Sequence, residues 1–458
     1  MRNLIVLFVC IAMAISCTSE PKIDDILITG EVNNPIANTI IVSGDDFRQT
    51  IALNADGTFN DTLKVVANGY YLLIHGRANA SMYLSKGDNI SVTFDARQFD
   101  ASMKFNGSGS AENNYLVSKR INNIDVTGNA MTFFSLTEKE FKLKLDELFT
   151  KHNSSLERID GDPDFVTLEK KALSYEKLVN LSSYQRLHAY YTKNEGFEIS
   201  EDFLPESYTN MTFDNEEDFN RYAGYRTLAM NKYLGEVVKV LGDDYQSAAP
   251  EDFKIFDEIK IQAIKNEIMN QLGAVLVTPG NPNMISLYEF FMSHSTDTDF
   301  RQQLTIKFDN NKLLVRGMPS PQFTDYENHK GGTMSLADLR GKYVYIDVWA
   351  TWCAPCIREI PHLKEIETKY QGRNIEFVSA SIDRMVDHDA WVQMVKDKQL
   401  MGHQLFADSD WQSAFIKGYA IDGIPRFILV DPDGNIVSAD APRPSNPKLI
   451  ALFEELKI

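Results

Sequence analysis

Read from the N-terminus, the chain changes its hydrophobic pattern several times. Leu4 to Ile15 is an unbroken apolar run, too short to span a bilayer comfortably. With the positive Arg2 in front of it, the run has the form of an export signal. From about residue 22 to 108, apolar and polar positions alternate in short stretches. Ile26 to Val32, Thr39 to Ser43, Gln49 to Leu53, Thr58 to Val66, Tyr70 to Ile74, Met82 to Leu84 and Ile90 to Phe94 read as strands. Asp56-Gly57 predicts a hairpin turn, and Lys86-Gly87-Asp88 a second turn. Many short strands with regular turns suggest a small all-β sandwich or barrel. Asn106-Gly107-Ser108-Gly109-Ser110 reads as a linker.

Between about 111 and 310 the period lengthens to that of helices. Phe141, Leu145, Leu148 and Phe149 recur at helical spacing, as do Ile255, Ile259, Ile261, Ile264 and Ile268. Frequent tyrosines, among them Tyr184, Tyr190 and Tyr191, read as core rather than as a ligand box. The stretch shows no repeat and no catalytic motif. From about 313 to 458 strands and helices alternate. Tyr343 to Trp349, Ile375 to Ser381, Arg426 to Val430 and Ile436 to Ser438 are predicted strands, with a short extended piece near Leu405. Helices are predicted from Cys353 to about Tyr370, over 388–400, before Tyr419, and from Pro447 to Leu456. This order implies an α/β sheet covered on both faces.

At 458 residues the chain suits two or three domains, and 43% apolar residues suffice for real cores. A net charge of −18 argues against nucleic acid as a partner, and against adhesion to anionic lipid through a basic patch. The apolar run ends in Ala14-Ile15-Ser16-Cys17, which resembles a bacterial lipobox, although Leu is commoner than Ala14 at that place. The resemblance implies a signal peptide over residues 1–16 and a lipid on Cys17 that holds the protein to a bilayer in the cell envelope, on its periplasmic side. Plain secretion with an unmodified Cys17 is the alternative. Thr18-Ser19-Glu20 loosely resembles a sorting tag for surface exposure. The four cysteines are Cys10, Cys17, Cys353 and Cys356, so processing would leave one close pair. Export places that pair where disulfides persist.

The pair lies in Trp352-Cys353-Ala354-Pro355-Cys356, between a predicted strand and a predicted helix. A thiol at a helix N-terminus faces unpaired N–H groups and the positive end of the dipole. Such surroundings lower a free thiol from about 8.5 to roughly 3.5–7.5. Cys353 is therefore the expected nucleophile, and Cys356, one turn deeper, the resolving thiol.

With Val348-Trp349-Ala350 before the motif, Glu359 and Pro361 after it, and Gly423-Ile424-Pro425 before a late strand, residues 313–458 resemble the thioredoxin fold, in its TlpA/ResA branch of extracytoplasmic thiol–disulfide oxidoreductases. Residues 384–400 fit an insertion of that branch, and the β and helical regions more weakly resemble the leading domains of some anchored lipoproteins. The resemblance implies an enzyme with no cofactor beyond the Cys353–Cys356 disulfide, and an exposed Cys353. It matches Asp347 to a buried acid that accepts the resolving thiol's proton, and Glu359 to the branch's own acid. The two acids, buried together, would repel and raise one pKa. A solvated charge is the alternative for Glu359. Pro425 matches a cis-proline that, with Ile424, presents backbone to a client, Trp352 shields the motif, and Pro361 shapes the helix. Arg426 departs from the small hydroxyl residue common after that proline, which bears on partner preference. The implied partners are thiols or disulfides of exported proteins and a membrane dithiol electron donor.

A zinc site would need two further ligands, and the eight histidines show no ligand spacing. Haem attachment would need His where Ile357 stands. Peroxiredoxins share the fold, but their Thr-x-x-Cys pattern would need a cysteine at Ala354. The rival from another class is a lipid-anchored binding or scaffold protein, with its work in residues 22–310 and an accessory redox module.

Overall fold

Alternating apolar positions in the N-terminal stretch do form strands. The computed structural model describes residues 24–44, 46–242 and 245–458. Residues 1–16, read as a signal, and Cys17 lie outside the described residues. The described chain falls into two compact units, one of residues up to Thr212 with Asn220–Leu228, the other of Phe213–Phe219 with Ala229–Ile458. The division falls inside the helical stretch, whose two parts therefore belong to different units.

In the first unit eight strands build two sheets. They are β1 (Ile26–Asn33), β2 (Thr39–Gly44), β3 (Phe47–Ala52), β4 (Thr58–Leu63), β5 (Gly69–His75), β6 (Ala78–Leu84), β7 (Asn89–Asp95) and β8 (Lys104–Gly107). The sheet orders are β4-β1-β7-β8 and β3-β2-β5-β6. Period-two alternation buries Ile26 and Ile28 of β1, Ile40 and Val42 of β2, and Ile90, Val92 and Phe94 of β7 in one shared core. The domain is a sandwich. Asp56-Gly57 does reverse the chain, but it makes no hairpin, because β3 and β4 belong to different sheets. Gly57 has φ +83°, and a Cβ there would lie 2.4 Å from the Val32 carbonyl oxygen, so β1 itself crowds the turn. The expected linker at 106–110 is also structured. Its first residues end β8, and Gly109, at φ +72°, stands just before a helix that begins at Ser110. Small residues here serve close approach rather than flexibility, since a Cβ on Gly107 would meet the Asn89 carbonyl at 2.1 Å.

Helices Ser110–Thr127, Glu138–Leu156 and Pro163–Thr192 follow in the same unit. Thr137 and Glu140 form a capping box at the start of the second. Phe141, Leu145, Leu148 and Phe149 are buried as their spacing predicts, and Tyr184 joins the core. Tyr190 does not; it is exposed near the end of its helix. The isoleucine stripe from 255 to 268 is not one helix. A 3₁₀ stretch at Pro250–Asp257 stops before a helix over Gln262–Leu276, with Ile261 extended at its N-cap. Burial of Ile259 and Ile261 in the connection satisfied the same spacing.

The second unit carries the α/β sheet. Its strands are β9 (Tyr326–Asn328), β10 (Thr333–Met334), β11 (Tyr343–Trp349), β12 (Ile375–Ser381), β13 (His403–Phe406), β14 (Arg426–Val430) and β15 (Ile436–Ser438). The order is β10-β9-β13-β12-β11-β14-β15. Central β11 runs parallel to β12 and antiparallel to β14. Alternation along β11 sends Val344, Ile346 and Val348 into one core with Trp391 and Phe415. Tyr345 enters a second core with Leu363, Ile366 and Phe453. Both faces are thus covered by helices, as the strand–helix order requires.

Candidate redox centre

Strand β11 ends at Trp349, and the motif helix, Ala354–Lys369, begins five residues later. Cys353 is its N-cap, in an extended conformation, and its Sγ accepts a hydrogen bond from the Cys356 N–H at 3.2 Å. Pro355 in the first turn forfeits no helical hydrogen bond. Cys353 and Cys356 are joined in a disulfide with Cα atoms 5.3 Å apart. The Ile424–Pro425 bond is cis. It immediately precedes β14, whose Arg426 pairs with Val348, so Pro425 stands at the end of β11 where the motif begins. Arg426 Nη1 lies 3.5 Å from Asp440 Oδ1.

One expectation needs correction. Cys353 is not the exposed cysteine: it is 4% exposed and Cys356 3%. Cys353 lies in an apolar cluster with Trp349 and Ala350, and Ile424 packs against the same cluster. Trp352 is 55% exposed, whereas Trp349 and Trp391 are buried.

Asp347 is buried on the face of β11 that carries Tyr345 and Trp349. Its carboxyl is pushed up to about 8 by loss of water, then by the charges of Glu367 and Glu359. The expected repulsion between buried acids therefore falls on Asp347. Glu359 is buried and anchored elsewhere, accepting from the Ser445 N–H at 3.0 Å and the Ser445 hydroxyl at 2.9 Å. This pairing disfavours the reading of Glu359 as a solvated charge.

Two acids escaped the sequence reading. Glu367 is buried on the motif helix, and burial pushes it up to about 7 against the pull of Lys364 and Lys330. Its signal was present, since Cys356, Ile360, Leu363 and Glu367 fall on one helix face. Asp383 follows β12 and holds the turn before the motif. Its Oδ2 accepts from the Thr351 N–H at 2.9 Å and the Ser381 hydroxyl at 2.7 Å, and its Oδ1 accepts from the Thr351 hydroxyl at 2.7 Å. An acid just past the strand parallel to the motif strand is the pattern that could have found it. Among the described residues no cluster of His, Cys, Asp and Glu is arranged to hold a metal.

Known proteins match this part of the chain. The AhpC/TSA family model matches residues 317–439. The thiol-disulfide oxidoreductase ResA of a Bacillus cereus strain is 31% identical over 131 residues, which cover 28% of this chain and 70% of ResA. This chain belongs to the thioredoxin-fold oxidoreductases of the TlpA/ResA type. ResA of a Geobacillus thermodenitrificans strain is 26% identical over 129 residues, covering 28% of this chain and 71% of that protein. A candidate thiol-disulfide oxidoreductase from Bacteroides vulgatus, solved in solution, is 52% identical and covers 31% of this chain and 92% of its own, with a TM-score of 0.28. Like the ResA proteins it matches, the chain is a thiol–disulfide oxidoreductase.

Burying Asp347 has a stability consequence. Its folded pKa lies above its unfolded value of 3.8, so the folded state binds the extra proton and loses stability as pH rises from about 4 through about 8. Denaturant unfolding of the oxidised protein should show this decline. Asp347→Asn should flatten it, and gain on the order of a few kcal/mol over wild type near pH 8. Parallel pH curves for the two proteins would refute the burial argument.

Proposed function

We propose that the protein reduces disulfides of exported proteins through Cys353 and Cys356, while a lipid on Cys17 holds it in the cell envelope. The observation that carries the reading is the N-cap cysteine, bonded to a second cysteine one turn on, with a cis-proline at the end of β11 and a buried acid on that strand. In the reduced enzyme the Cys353 thiolate attacks a client sulfur. A Cys353–client disulfide forms, and the other client sulfur leaves with the bonding pair and takes up a proton. Cys356 then gives its proton to Asp347 and attacks Cys353 Sγ. The mixed disulfide breaks, the second client sulfur leaves as thiolate, and the enzyme disulfide forms. The client gains two electrons and the enzyme loses them. A membrane dithiol donor would restore the reduced enzyme by the same exchange.

Ile424 and Pro425 offer backbone to the client at the edge of the motif, and exposed Trp352 offers an aromatic surface beside it. Support for the location comes from the run Leu4 to Ile15 and the lipobox-like Ala14-Ile15-Ser16-Cys17. Several acyl chains would anchor firmly, at about 0.8 kcal/mol for each buried CH₂.

Insulin serves as a disulfide probe. The full-length Cys356→Ser variant should accumulate a covalent insulin adduct through Cys353 that a small dithiol releases. An adduct forming instead through Cys356 in Cys353→Ser would reverse the assignment. Cys17→Ser should move the protein from the membrane fraction to the soluble fraction of the envelope, and an unchanged distribution would remove the lipid anchor.

A further inference from the structure

Asp347, Ser379 and Gln404 stand in register across three neighbouring strands, β11, β12 and β13. With Trp349, they face Ile360, Leu363, Lys364 and Glu367 of the motif helix across a cavity of about 10 Å³. That is room for about one water molecule. Three buried polar atoms around it, Asp347 Oδ1, Trp349 Nε1 and Gln404 Oε1, have no hydrogen-bond partner among the described residues. Buried polar atoms are almost always satisfied, by protein or by water. A donor and two acceptors without partners, all on residues that line a one-water space, fit a water site. Glu367 is the second carboxyl on its wall.

We propose that Glu367 is a positioning residue of the resolving step, sharing with Asp347, through a water in this cavity, the proton that Cys356 gives up. The proposal rests on the reading of Asp347 as proton acceptor. The thiol proton of Cys356 moves to the Asp347 carboxylate, the new thiolate forms the Cys353–Cys356 bond, and the proton is then held between two carboxyl groups instead of one. No oxidant or reductant beyond the client is involved. Two buried acids in contact through water ionise in two coupled steps, so each governs the pH at which the other accepts a proton. The groups acting on the pair are Glu359 and Lys364 from the motif helix and Lys330 from the loop after β9, while Tyr345 on β11 is itself raised by burial and by the charge of Asp347. Ser379 and Gln404 of β12 and β13 do not titrate in this range. Burial keeps both carboxyl groups protonated closer to neutral pH than free carboxyls, and the charge of Glu367 adds to this at Asp347.

The test uses the reduced full-length protein and an aromatic disulfide whose thiolate product absorbs visible light. Attack by Cys353 releases the first equivalent, and resolution by Cys356 releases the second. In Glu367→Gln the midpoint of the second phase against pH should move down by about one unit, since a negative charge beside Asp347 is removed. Glu367→Asp should restore the wild-type midpoint. A purely structural Glu367 would leave the midpoint in place, and that result overturns the proposal. Asp347→Asn separates the two readings. If it abolishes the pH dependence while Glu367→Gln keeps the wild-type curve, only the shared proton fails. If Asp347→Asn itself keeps the wild-type curve, the acceptor reading fails. Infrared titration of the carboxyl stretch, taken as the difference between wild type and Glu367→Gln, removes the other raised carboxyls, Asp88, Glu176 and Asp440, from the signal. That difference should show two coupled steps, and a single step would overturn the pair.

Discussion

The redox centre depends on the position at which β11 stops. Cys353 must be the last extended residue and the cap of a helix at once, and a drift of one residue would turn its sulfur away from the helix end. Strand β11 is pinned on both sides, by parallel β12 and antiparallel β14. The turn beyond it is pinned again, by Asp383 on Thr351 and by the Ile382 N–H donating to the Trp349 carbonyl at 2.9 Å. Hydrogen bonds to a charged group are worth about 1.5–3 kcal/mol each. Here they hold the approach to the cysteine, so that the helix N-terminus meets sulfur and not water.

The same geometry places acids where a stable core would not choose them. Asp347 stands between Tyr345 and Trp349 on a face otherwise filled by aromatic and aliphatic side chains. Burying a carboxyl there costs stability and raises its proton affinity together, through one cause, the loss of water. A resolving thiol needs an acceptor near its own proton affinity, which an exposed carboxylate would not supply. The local rule that charges stay outside is broken at Asp347, on the strand that leads into the cysteine motif.

Much of the second unit was legible in the sequence, because its central strands are continuous apolar runs. Tyr343–Trp349, Ile375–Ser381 and Arg426–Val430 stand where those runs lie. The cysteine pair, Asp347 and Pro425 followed from the motif and its surroundings. What escaped depends on contacts distant in sequence. Asp383 gains its meaning only when β12 lies beside β11, and Glu367 only when the helix covers Gln404. Burial of Cys353 and exposure of Trp352 lie between strand and helix, where no periodicity reports them. In the first unit, Asp56-Gly57 carried a true turn signal, but which sheet each strand joins is decided by the sandwich as a whole. Glycines at 107 and 109 imitated a linker because close packing and flexibility favour the same residue.

The central claim is that the end of β11 makes Cys353 the reactive thiol. Alkylation of the fully reduced protein across pH, with each cysteine followed by mass spectrometry, tests it most directly. Cys353 should react first, with a midpoint below the free-thiol value of about 8.5. Earlier reaction at Cys356, or a Cys353 midpoint at or above that value, would contradict the account.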